Sequence, residues 1–203
     1  MGELSARLDA VFAQTNEKRQ IRRNNYSSYL EYYLPSDVNE LQSSDITSIL
    51  MYNGSRLIMD INIAGIINEK YYPETGLSDE GFFDPERLVY AKEGTYLSYE
   101  GQENEYLYRV YEYEDDYLAY FLSRGLIFYG FASREDIVEL SSRIYLIARS
   151  STVSKDNVIA VYSSKDVIDY EKKQVDLFET IMPVNGNIND FMIEKTEEED
   201  TGE

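Results

Sequence analysis

The chain has 203 residues, carries 38 acidic side chains against 19 basic ones, and holds no histidine, cysteine or tryptophan. Without imidazole or thiolate, the usual proton-shuttle, thiol and zinc-thiolate chemistries have no residues to use, and a formal charge of −19 argues against nucleic acid as a direct ligand. What stands in excess is tyrosine, at 20 residues, nine of them between Tyr96 and Tyr129.

The chain opens on a helical pattern. Across residues 3–25, Leu4, Leu8, Val11, Phe12 and Thr15 recur at helical spacing with alanines between them, which predicts an amphipathic helix. Its second half is basic, with Lys18, Arg19, Arg22 and Arg23, and tyrosine-rich residues 26–34 could extend it until Pro35 forces the preceding residue out of the α region. Five basic side chains against three acidic ones give residues 1–25 a net +2, so about −21 falls on the remainder. On this reading, residues 1–35 form a helical stalk and residues 36–193 an α+β body. Glu197 to Asp200 then lie in a solvated acidic tail over residues 194–203.

Residues 36–45 read as a polar linker. Beyond them, two β-branched runs at 46–52 and 56–63 flank Asn53-Gly54, a pair suited to the left-handed φ values of a tight hairpin turn. A helical turn is expected at 64–67. A long loop over 73–86 follows, marked by Pro73, Gly76, Gly81 and Pro85, with Phe82-Phe83 as a core plug.

From 88 to 131 the pattern is a meander of short strands at 88–91, 96–99, 106–113, 117–122 and 126–131, broken by turn residues at 93–94, 101–104, 114–116 and 124–125. Within the third strand, Tyr106, Tyr108 and Val110 share one face, and Leu107, Arg109, Tyr111 and Tyr113 the other. Aromatic rings on both faces predict a central strand covered on each side. Ser133, Glu135 and Asp136 look like a helix start, and Ile137, Leu140, Ile144 and Ile147 continue the helical spacing, which predicts a helix from about Arg134 to Arg149. Residues 158–162 read as a strand, giving a β-α-β unit, and 175–181 as another, with Phe191 to Ile193 a last apolar anchor.

The fold class expected is therefore α+β: an N-terminal helix, a mostly antiparallel sheet of hairpins and one helix packed on it. The candidate partner-binding residues are Tyr96, Tyr99, Tyr106, Tyr108, Tyr111, Tyr113 and Tyr117, with Tyr120 alongside, because tyrosine offers a large contact area at low conformational cost. The competing explanation is that tyrosine simply favours strands. Acidic spacings do not build a calcium loop: Asp60, Asn62 and Gly65 suggest one, but Ala64 and Tyr71 occupy ligand positions. Neither a phosphate loop nor a serine-nucleophile motif is present, so no catalytic residue, metal or cofactor is assigned.

The function expected is a non-enzymatic protein-interaction domain. The abrupt helical opening and the basic flank formed by Lys18, Arg19, Arg22 and Arg23 suggest the soluble extracytoplasmic part of a membrane-anchored bacterial protein, with a cytoplasmic setting as the alternative. A homo-oligomer contact through the first helix fits the same pattern. Two other classes stay open: an intracellular acidic decoy that mimics nucleic acid, and a carboxylate-based hydrolase.

Overall fold

The computed structural model describes residues 2–17, 22–79 and 83–163. The fold is α+β. Among the described residues, four α-helices, α1 (Gly2–Glu17), α2 (Ile63–Tyr71), α3 (Ile137–Ser150) and α4 (Lys155–Tyr162), accompany ten strands. Strands β3 (Val38–Ser43), β4 (Thr47–Tyr52), β5 (Ser55–Ile61), β6 (Leu88–Leu97), β7 (Glu103–Tyr113), β8 (Asp116–Ser123) and β9 (Leu126–Ser133) form a seven-stranded antiparallel sheet in the order β3-β4-β5-β9-β8-β7-β6. Three short strands, β1 (Asn25–Tyr26), β2 (Leu30–Tyr32) and β10 (Thr152–Val153), make a small second sheet in the order β1-β2-β10.

The hairpin about Asn53-Gly54 forms as expected. Both residues sit at positive φ, 46° and 82°, the combination that matches the twist of the strands it joins, and Tyr52 lies opposite Ser55. The helical turn after it grows into α2, whose N-cap Asn62 accepts from the Gly65 amide and donates to the Ser123 carbonyl at 2.7 Å. That buried asparagine ties the helix start to the β8–β9 turn.

Strand β7 carries the organisation of the core. Tyr106, Tyr108 and Val110 join a cluster with Leu8 and Phe12 of α1 and with Leu140, Ile144 and Tyr145 of α3. Leu107, Tyr111 and Tyr113 point the other way, into a second cluster with Tyr120, Tyr129 and Phe83. The strand is thus buried on both faces. Phe83 plugs the second face from the long loop, while Phe82 lies outside the described residues.

Several expectations are corrected. The first helix, described over Gly2–Glu17, does not reach residue 25; Asn25–Tyr26 and Leu30–Tyr32 are strands, held by pairing with each other and with β10. Nor is α1 set apart as a stalk, since Leu8 and Phe12 sit in the main core. The polar linker contains edge strand β3, whose residues after Val38 are all exposed, so it has no apolar alternation to betray it. Residues 88–91 and 96–97 belong to one strand, β6, which runs through Gly94, and Ser98 and Tyr99 lie beyond its end. Gly94 lies opposite Tyr106, whose ring would stand 3.3 Å from a Cβ placed there, so the tyrosine covers the site a side chain would fill.

Helix α3 begins at Ile137, not Arg134, because Ser133 and Asp136 close a turn on each other: the Ser133 hydroxyl donates to the Asp136 carboxylate and accepts from its amide. At Gly130 the reason for glycine is proximity: a Cβ would meet Leu140 at 2.8 Å, so its absence lets α3 approach β9 closely. Residues 158–162, expected as a strand, are the second half of α4, with the Val158 amide bonded to the Ser154 carbonyl, and no β-α-β unit forms. The strand expected at 175–181, the anchor at 191–193 and the acidic tail lie outside the described residues.

Candidate functional site

The tyrosines proposed from sequence as a contact surface are in the core. Tyr96, Tyr106, Tyr108, Tyr111, Tyr113 and Tyr120 are each at most 7 % exposed. Tyr99 and Tyr117 are half-buried beneath guanidinium groups, Arg23 lying 4.4 Å from the Tyr99 ring centre and Arg134 5.6 Å from that of Tyr117. The alternation that placed aromatic rings on both faces of β7 is what encloses them, because both faces are covered. Phenols in this core find partners: Tyr108 bonds Ser141, and beside it Tyr145 donates to Asn16 and Tyr90 to Asp9. Burial pushes Tyr96 and Tyr111 up to about 12, and drives Tyr106, Tyr108 and Tyr120 higher still. These groups are structural hydroxyls held neutral.

The basic flank is also divided. Arg22 is exposed, Arg23 is ion-paired with Glu31 at 3.0 Å, and Lys18 and Arg19 lie outside the described residues. None of the described helices is long and apolar enough to cross a membrane. Nor do the described residues bring three or more carboxylates together as a metal centre. At Asp9, hydrogen bonds from the Lys92 ammonium and the Tyr90 phenol hold the carboxyl below its ordinary range, which fixes α1 to β6.

Two surfaces remain that can recognise something. The first is the outer edge of β6. This strand is ten residues long and ends the seven-stranded sheet, and no strand among the described residues pairs with its far side. A bulge interrupts only its start, between Leu88 and Tyr90, leaving Tyr90 to Leu97 in unbroken register with β7. The opposite edge, β3, has six residues and a bulge between Glu40 and Gln42. Short, bulged edges resist pairing with another chain, whereas long regular ones invite it.

The second is a cleft of about 560 Å³ at the end of the β6–β7 hairpin. One wall comes from that hairpin, with Ser98, Glu100, Gln102 and Asn104; the other comes from β10 and the first turn of α4, with Thr152, Ser154 and Asn157. Tyr96, Leu126 and Val153 add apolar surface. The Thr152 hydroxyl oxygen is buried with no hydrogen-bond partner among the described residues, and the Ser154 hydroxyl, although at the N-cap of α4, makes no capping bond. Lys155 is turned away to Glu69 at 2.6 Å, and Glu100 lies 3.9 Å from Arg23.

Sequence reasoning did not find this cleft. Its walls are 50 residues apart along the chain, and the one local signal, the hydroxyl-rich run from Ser150 to Ser154, precedes a segment that reads as a strand. No known protein family matches the chain, and no curated protein is significantly similar to it.

Proposed function

We propose that the chain is a non-enzymatic protein-interaction domain that receives an extended segment of a protein partner along the outer edge of β6. The observation that carries this reading is the contrast between the two sheet edges: eight consecutive residues, Tyr90 to Leu97, keep unbroken ladder geometry on one side, and the other side is shortened and bulged. An added strand would satisfy the outward amide and carbonyl groups, and the exposed side chains of Ala91, Glu93, Thr95 and Leu97 would supply selectivity. The tyrosines enter this function indirectly, by making β7 and its neighbours a rigid support for the edge.

The test uses a pair of adjacent proline substitutions, Gly94→Pro and Thr95→Pro. Successive residues of an antiparallel edge strand direct their amides alternately inward and outward, so one substitution breaks the bond to β7 and the other removes only an outward donor. The variant that retains native circular dichroism should lose capture of the partner that the unmodified domain retains from a lysate of its own source. Undiminished capture by that folded variant would overturn the proposal. Light scattering of the purified domain separates the two kinds of partner, since a dimer broken by the same variant identifies a second copy at the edge.

A further inference from the structure

We propose that the cleft between the β6–β7 hairpin and the start of α4 is a binding site for a neutral, polyhydroxylated small molecule of the saccharide class. This inference does not depend on the edge-strand reading. The cleft volume, about 560 Å³, lies in the range that holds a small organic ligand.

Its chemistry narrows the class. Most of its hydrogen-bonding groups are uncharged hydroxyls and amides, those of Ser98, Gln102, Asn104, Thr152, Ser154 and Asn157, which together offer both donors and acceptors. A sugar hydroxyl also donates and accepts, so such a wall matches it group for group. Anionic ligands fit poorly: Lys155, the cation in the lining, is paired with Glu69, and Glu100 and Asp156 add negative charge. A mainly apolar ligand fits no better, because it would cover the solvated groups of Gln102, Ser154 and Asn157 without giving them partners. Half-buried Val153 supplies the apolar patch against which the C–H face of a pyranose can rest.

The Thr152 oxygen is the most informative atom. It belongs to β10, whose pairing with Glu31 of β2 fixes the backbone and leaves the side-chain torsion free, so the enclosed hydroxyl can turn toward the cleft. A ligand hydroxyl entering the cleft would give it the partner it lacks.

The experiment is amide NMR titration of the full chain with D-glucose, D-galactose, N-acetyl-D-glucosamine and maltose, with glycine and inorganic phosphate as comparison ligands. At least one sugar should shift, saturably and up to tens of millimolar, the amides of residues 98–104 and 151–157. Thr152→Val, which keeps the side-chain shape, should weaken that binding by about tenfold, the loss of one hydrogen bond, while Thr152→Ser should restore it. The inference is overturned if no sugar moves these amides, if glycine or phosphate moves them and sugars do not, or if Thr152→Val binds as the unmodified chain does. Because Gly94→Pro and Thr95→Pro test the edge and Thr152→Val tests the cleft, the two readings can fail separately.

Discussion

The two faces of the large sheet are closed by different means. On one, α1 and α3 bring Leu8, Phe12, Leu140, Ile144 and Tyr145 onto Tyr106, Tyr108 and Phe121, and the rings interlock: Phe12 stands 5.0 Å from Tyr108 and 4.6 Å from Tyr145, both edge-on. On the other, the described cover is the loop before β6, where Phe83 rests 4.9 Å from Tyr111 and 5.1 Å from Tyr120, and Asp79 pairs with Arg109 at 3.1 Å. A helix satisfies its own backbone groups and can press a whole apolar stripe onto a sheet. A loop must find partners for its backbone elsewhere, as the Thr75 carbonyl does in the Arg124 guanidinium. The helical side should therefore hold the fold together, and the loop side should open at lower cost.

The largest effect expected is alkaline unfolding, which tests whether both faces are closed. Burial raises the tyrosine pKa values, so the folded state favours the neutral phenols. Their contribution is intact below the free phenol value near 10 and is lost as pH rises through the raised values, about 12 for Tyr96 and Tyr111. Phenolate absorbance and far-ultraviolet circular dichroism should change together in one cooperative step above about pH 10. A smooth titration of most phenols near that pH with the dichroism unchanged would mean that the rings are open to solvent.

A smaller effect separates the faces. Phe12→Ala should cost about 4 kcal/mol in denaturant unfolding, within the range for emptying a core phenylalanine site. Phe83→Ala should cost about 2 kcal/mol, because a loop can settle into part of the space more readily than a helix tied at Asp9 and Asn16. Equal costs would break the comparison. Smallest of all should be Asp9→Asn, which weakens the link between α1 and β6. That carboxylate is solvent-accessible, so the loss should stay below about 1 kcal/mol. Because the Asp9 pKa is lowered in the fold, its contribution is present above the ordinary carboxyl range and disappears as pH falls through the lowered value. The difference between Asp9→Asn and the unmodified chain should therefore vanish in acid.

Much of the fold was legible where one local rule spoke without competition. Asn53-Gly54 between β-branched runs named its own hairpin, and the alternation along residues 106–113 assigned each side chain of β7 to its observed face. The same alternation misled about function, since rings on both faces look alike whether they meet a partner or the rest of the same chain; only the packing of α1, α3 and Phe83 decides. Val158 to Tyr162 shows the other limit: a short apolar run suits a strand and a buried helix equally, and the helix wins here because Val158 and Ile159 turn inward next to each other after Ser154. Strand β3 was hidden by its polarity. The cleft was hidden by distance along the chain, and no single segment carries its chemistry.

The placement of α1 has a consequence for synthesis on the ribosome. The Tyr145 hydroxyl that bonds Asn16 arrives 129 residues after it, and the Ser150 hydroxyl that holds the Tyr33 amide arrives 117 residues after its partner. Helix α1 is thus made well before the helix that encloses it. Until residues 137–150 have emerged, Leu8 and Phe12 lack half of their lodging, and the nascent chain offers chaperones an apolar handle along α1.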